Sequence, residues 1–221
     1  MSISINQDKN INRNTGFNKP DENILVIKRN ILFEDQTAFS GIKELDEKGI
    51  EKYLQVISDN KEFLPRSEME MDINYKQIIP YLIFKHENKY FLMQRQSNAT
   101  EQRLKNKFSL GIGGHIREED IVSANIIDWS KREFEEEIEY NGDYKVKLIG
   151  LLNDDSDSVG QVHVGFVFLI EGNCDTIKVK SELKSGQLLE LSQCIEYYDS
   201  MENWSKLVFN YLQSSDISNQ I

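Results

Sequence analysis

The most restrictive stretch of this chain is 129-WSKREFEEEIEY-140, where five of the seven residues from Glu133 to Glu139 are glutamates. Ile127, Phe134 and Ile138 within and before it recur at helical spacing, with Ala124 beside them. At about 100° per residue these four form one apolar stripe, and the spacing predicts a helix from about Ser123 to Glu139. Glu133, Glu136 and Glu137 centre about 140° from that stripe. Like charges three and four residues apart on a helix repel, each pair costing roughly 0.2–0.5 kcal/mol. The cluster is therefore either a solvated face or a place where something cationic sits. The i, i+3, i+4 spacing lets three carboxylates reach one point, and hard divalent cations take oxygen ligands of this kind. Arg132 stands beside them, able to brace a carboxylate bidentately.

What precedes the helix favours the second reading. In FSLGIGGHI (108–116) three glycines fall within four residues, permitting a tight turn and the close approach of a ligand to the backbone. A strand ending at Gly113-Gly114 and an acidic helix after it are the parts that a metal-assisted phosphate site needs. Elsewhere, NILVIKRNILF (23–33) reads as strand, and Ile50, Tyr53, Leu54 and Ile57 mark an amphipathic helix. KQIIPYLIFKH and KYFLMQRQ form a hairpin about His86-Glu87-Asn88, with Pro80 at an edge or an irregular point. YKVKLIGLLND and VGQVHVGFVFLIEG are strands about a DSDS turn. LLELSQCIEYYDS and MENWSKLVFNYLQSS have helical spacing, the last with a Trp204, Leu207, Val208, Tyr211 stripe. Strands and helices mixed without regular βαβ alternation predict an α+β layered domain.

The chain has 221 residues, 39% hydrophobic, enough for a core, and a formal net charge of −11. That charge argues against a surface for long nucleic acid, which needs positive potential to displace counterions. A nucleotide met by local arginines and bridging metal is still allowed. Cys174 and Cys194 form no CxxC pair, and a reducing interior is the simpler setting. No apolar run approaches the roughly 20 residues of a membrane helix, and the Asn-rich start has no apolar signal core. The expected address is the cytoplasm. Residues 1–22 read as a flexible polar arm, 23–74 as an extension packed on the core, 75–214 as the catalytic domain and 215–221 as a tail.

The combination resembles the Nudix hydrolases. Arg132-Glu133-Phe134-Glu135-Glu136-Glu137 matches the centre of their signature, Tyr140 its final apolar position and Gly114 its opening glycine. The eighteen positions from Gly114 to Arg132 are four more than the pattern calls for. The signature's early glutamate has three candidates here, Glu118, Glu119 and Asp120, and Glu139 replaces a glycine. RSEMEMDINYKQIIPY and EQRLKNKFSLGIGGHI are similar to a bacterial branch whose substrate is unassigned.

The resemblance implies an α/β/α sandwich with a mixed β-sheet, the signature forming a loop–helix–loop. It implies hydrolysis of a nucleoside diphosphate-linked or similar small substrate with Mg²⁺ or Mn²⁺. It makes Glu133, Glu136 and Glu137 metal ligands with the Gly114 carbonyl assisting, Glu133 also a candidate base, and Arg132 their orienting partner. Arg95, Arg103 and His115 are candidate substrate-binding residues, with Arg66 a weaker one of the same kind. His163 reads as structural, Asp154, Asp155 and Asp157 as an ordinary acidic turn, and Trp129 as a shield for the site or as packing. A homodimer is left open, since many relatives pair. The rival readings are a nucleotide-sensing binding module of the same fold and an isoprenoid-diphosphate isomerase, which would want a cysteine near the site.

Overall fold

A computed structural model of the chain describes residues 21–34, 38–95, 105–121, 126–180 and 183–218. It enters on strand β1 (Asn23–Lys28), short helix α1 (Arg29–Leu32), strand β2 (Gly41–Glu44), helix α2 (Glu47–Asn60), strand β3 (Glu62–Pro65) and short helix α3 (Arg66–Met69). The hairpin of β4 (Tyr75–His86) and β5 (Lys89–Arg95) follows, then β6 (Phe108–Ser109) and β7 (Gly111–Gly113). Helix α4 (Ile126–Glu137) runs directly into β8 (Ile138–Tyr140). Then come β9 (Tyr144–Asn153), β10 (His163–Gly172), β11 (Ile177–Val179) and β12 (Leu183–Glu190). Helices α5 (Leu191–Cys194) and α6 (Asn203–Ser218) close the described chain.

The main sheet runs β12-β5-β4-β10-β9-β2, with β1 and β7 also on β4, β3 on β1 and β6 on β5. It is mixed: β10 pairs β4 in parallel and β9 antiparallel. Strand periodicity sorts its residues onto two faces. Ile78, Leu82 and Phe84 of β4 join Phe134 and Ile138 in one core, while Tyr81 and Ile83 join Val208 and Phe209 of α6 in the other. The sheet therefore lies between α2 and α4 on one side and α6 on the other, an α/β/α sandwich. Phe84 stacks on Phe134 with ring centroids 6.4 Å apart and planes at 18°. Burying a ring of this size stabilises by about 1.5–3 kcal/mol, and this contact seats α4 on the sheet.

Pro80 lies inside β4, paired with Phe166 of β10 on one flank. On the other flank pairing passes from β1, ending at Gln77, to β7, starting at Tyr81. The missing N–H therefore costs no ladder bond, and Pro80 is an irregular point in a central strand rather than an edge marker.

Three elements depart from the sequence reading. The first strand stops at Lys28, because Arg29 turns into α1 and reaches Asp155 with its guanidinium. LLELSQCIEYYDS is not one helix: Leu188–Glu190 complete the mostly exposed β12, whose polar run KSGQ hides a strand. The acidic helix ends at Glu137, not Glu139, and its last residue accepts a backbone bond from Lys180 at 2.8 Å. Glu139 thus lies on β8, where no glycine cap is needed. Residues 1–20 of the 1–22 arm, Arg103, Ala124 and residues 219–221 fall outside the described residues, and residues 215–218 of the expected tail continue α6.

Candidate functional site

Helix α4 buries Trp129 and Phe134, and β8 directly after it buries Ile138, in the core on its side of the sheet. That settles Trp129 as packing rather than a shield over the carboxylates. The three glutamates are not equivalent. Glu133 is buried, Glu137 half-buried with its Oε2 shielded from solvent, and Glu136 exposed. Glu133 lies against the glycine turn: a Cβ built on Gly114 would stand 2.0 Å from its Oε2 and 2.1 Å from its Cδ. Only glycine leaves room for this carboxylate beside that backbone.

Arg132 organises the cluster. Its Nε donates to Asp120 Oδ1 at 2.7 Å and its Nη2 to Asp120 Oδ2 at 2.9 Å, a bidentate grip on a buried carboxylate. Nη1 meets Glu136 Oε2 at 2.8 Å, and Nη2 meets Glu133 Oε1 at 2.8 Å and the His115 carbonyl at 2.9 Å. One guanidinium thereby ties two of the glutamates to the residue after Gly114. Asp120 ends a 3₁₀ turn, Glu118–Asp120, in which it also accepts from the Arg117 N–H. Of the three acidic candidates for that region, Asp120 is the one on the arginine. Beside α4 an open groove of about 610 Å³ is lined by Glu119, Asp120, Asp128, Lys131, Arg132, Glu135 and Glu136.

The electrostatics follow from burial. Loss of water pushes the Glu133 carboxyl above the usual carboxylate range; Arg132 pulls it down and the Glu136 charge pushes it up again. Asp120 ends below its ordinary value, since the hydrogen bonds from Arg132 and Arg117 outweigh its burial.

The remaining candidates are placed differently. Arg95 is largely buried, its Nε donating to Glu202 Oε2 at 3.3 Å, with Glu137 adding to the field that keeps it charged. Glu202 in turn accepts from Ser109 Oγ at 2.7 Å and from the Tyr81 hydroxyl at 3.2 Å. Arg95 therefore joins a buried network between β5 and α6 close to the acidic helix. His115 packs inward, its Nε2 2.7 Å from Gln77 Oε1 and 3.3 Å from His163 Nε2. Arg66 pairs with Glu70 at 3.4 Å. Asp154 and Asp157 accept from Ser156 and Val159 backbone N–H groups, and Asp155 pairs with Lys76 and Arg29, a structural turn. Cys194 lies in the core on the α6 face, across the sheet from α4, and Cys174 bonds Thr176 and the Tyr140 hydroxyl of β8.

No family model matches the chain. Among solved structures, Tm1382, described as a putative Nudix hydrolase, superposes with a TM-score of 0.72 at 28% identity, covering 86% of this chain and 98% of that one. The NUDIX domain of Shewanella oneidensis NrtR, solved with ADP ribose, shares the fold at TM-score 0.50 and 12% identity, covering 63% and 88%. This chain belongs to the Nudix hydrolases. It is also 34% identical over 206 residues to Protein YmaB of Bacillus subtilis (strain 168), spanning 88% of this chain and 99% of that protein. No helix among the described residues is long and apolar enough to cross a membrane.

Proposed function

We propose that the protein hydrolyses a phosphoanhydride in a nucleoside diphosphate-linked or similar small substrate, with Mg²⁺ or Mn²⁺, in the cytoplasm. The observation that carries this reading is the seat of Glu133 against Gly114. It brings a carboxylate to a backbone turn whose carbonyl can complete an all-oxygen donor set. Carboxylates and a carbonyl suit a hard divalent cation, so Glu133, Glu136, Glu137 and the Gly114 carbonyl are the residues that would hold one. Such an ion, when bound, polarises phosphoryl oxygens and lowers the pKa of a bound water.

The chain's own groups do the rest. Arg132, anchored on Asp120, holds Glu133 and Glu136 at a fixed separation although their charges repel. Burial raises the proton affinity of Glu133, which suits it to take a proton from an attacking water. Arg95 and Arg103 are assigned to the substrate side, Arg95 because the field of Glu137 reaches it. His115 lies behind the turn, so its side chain supports the loop instead of meeting substrate.

The test is a panel of nucleoside diphosphate-linked compounds and dinucleotides with Mg²⁺ or Mn²⁺, run beside Glu137→Gln. Turnover that falls in the folded variant by more than the 10–100-fold typical of outer-shell partners supports the reading. Equal turnover in both proteins rejects it.

A further inference from the structure

We propose a second metal site, for a Zn²⁺-type ion, formed by Glu70, His115 and His163 behind the glycine turn. One ligand atom from each lies within 4.8 Å of those of the other two. The three come from distant parts of the chain: Glu70 follows α3, His115 follows Gly114, and His163 opens β10. The ring of His163 is 5.4 Å from that of His115, and His163 is buried.

The hydrogen bonds around the pair fix which atoms carry protons. Val159 O lies 2.7 Å from His163 Nδ1, so that nitrogen donates and Nε2 presents a lone pair. Gln77 Nε2 donates to Met69 O at 3.1 Å, which turns the amide oxygen toward His115 Nε2. His115 Nε2 thus faces two acceptors, Gln77 Oε1 at 2.7 Å and His163 Nε2 at 3.3 Å. A single proton on His115 serves one of them well. A cation placed between the imidazoles gives both ring nitrogens a partner, with the Glu70 carboxylate, which also pairs with Arg66, as its third ligand.

The spacing fits such an ion. Two imidazole nitrogens on one tetrahedral zinc, each about 2.0–2.1 Å from it, stand about 3.3–3.4 Å apart. Two histidines and a glutamate form a three-ligand donor set that zinc favours and Mg²⁺ does not. The bond from His163 Nδ1 to the Val159 carbonyl is the outer-shell contact that orients a ligating histidine. An ion here would tie Glu70 of the 23–74 segment to the residue after Gly114, bracing from behind the turn that Glu133 meets from the front.

The inference stands apart from the acidic-helix site, and its test separates the two. The full chain is stripped with a chelator, equilibrated with excess Mg²⁺, and titrated with Zn²⁺ or Co²⁺ alone. The expected result is one Zn²⁺ retained per chain, a Co²⁺ visible spectrum of tetrahedral type, and a raised Tm. Glu70→Gln and His163→Ala should each weaken Zn²⁺ binding by at least about 100-fold, whereas Glu136→Gln leaves it unchanged. Glu70 is only half-buried, so its variant reports even if His163→Ala fails to fold. Failure of the folded wild type to retain Zn²⁺ over Mg²⁺, or retention undiminished in Glu70→Gln, overturns the site. So does loss of Zn²⁺ in Glu136→Gln. His115 and His163 would then be links in a hydrogen-bond chain from Val159 to Met69.

Discussion

Gly114→Ala separates the function of the acidic helix from its stability. The new methyl would stand 2.0 Å from Glu133 Oε2, where ordinary contact begins at 3.4 Å, so the carboxylate must retreat by about 1.4 Å. The obstructing atoms are the end of a flexible side chain, and Gly114 has no positive φ that alanine would resist. Retreat is therefore cheap for the fold, costing about 1 kcal/mol or less, the low end for an inserted methyl. It is expensive for the site, since a misplacement of about 1 Å costs on the order of 100-fold in rate. Gly111→Ala is the contrasting control. There the methyl would lie 2.1 Å from the buried Tyr81 ring, which cannot swing away, so the expected loss is in stability, about 3 kcal/mol. Urea unfolding and Mg²⁺-dependent turnover, measured on both variants, give the comparison. Gly114→Ala with wild-type turnover would refute the claim that Glu133 works from this seat. A loss of several kcal/mol in that variant would refute the claim that only a side-chain end is in the way.

Other outcomes follow from the same contacts. Arg132→Ala strips the partner from buried Asp120 and should cost roughly 3 kcal/mol in urea unfolding, with little of it owed to exposed Glu136; a loss below about 1 kcal/mol contradicts this. Tyr81→Phe removes a hydroxyl 2.8 Å from Ser205 Oγ and should cost roughly 2 kcal/mol, which thermal unfolding checks. Asp155 is opposed by burial, yet its hydrogen bonds from Arg29 and Lys76 bring it from 3.8 to about 2. The folded state therefore holds fewer protons, and this stability is complete above pH 3.8 and lost as pH falls through about 2. Partial exposure screens the pair, leaving on the order of 1 kcal/mol, which should vanish from the acid limb of Asp155→Asn in urea titrations.

The helix and its acidic spacing were legible because helical period is a local property: Phe134, Ile138 and the three glutamates declare it within six residues. Gly114 was legible as the turn next to the helix for the same reason. The partner of Arg132 was not, because Asp120 lies twelve residues upstream on a 3₁₀ turn with two acidic neighbours of equal promise. Trp129 stayed open between shield and packing, because the buried side of α4 is wider than the stripe that Phe134 marks. Strand β12 escaped because its residues are mostly exposed and polar, so no alternation marks it. The meeting of His115 with His163 depends on β4 and β10 pairing in parallel, a tertiary fact with no local signal.

Direct titration of the metal-free protein with Mn²⁺, followed by the loss of the free-ion EPR signal, bears on the central claim without requiring the substrate. The wild type should take up Mn²⁺, and Glu133→Gln and Glu136→Gln should each lose most of that affinity while keeping the wild-type fold by circular dichroism. Uptake as strong in both variants as in the wild type would show that these carboxylates do not hold the ion, and the proposed chemistry would have no seat.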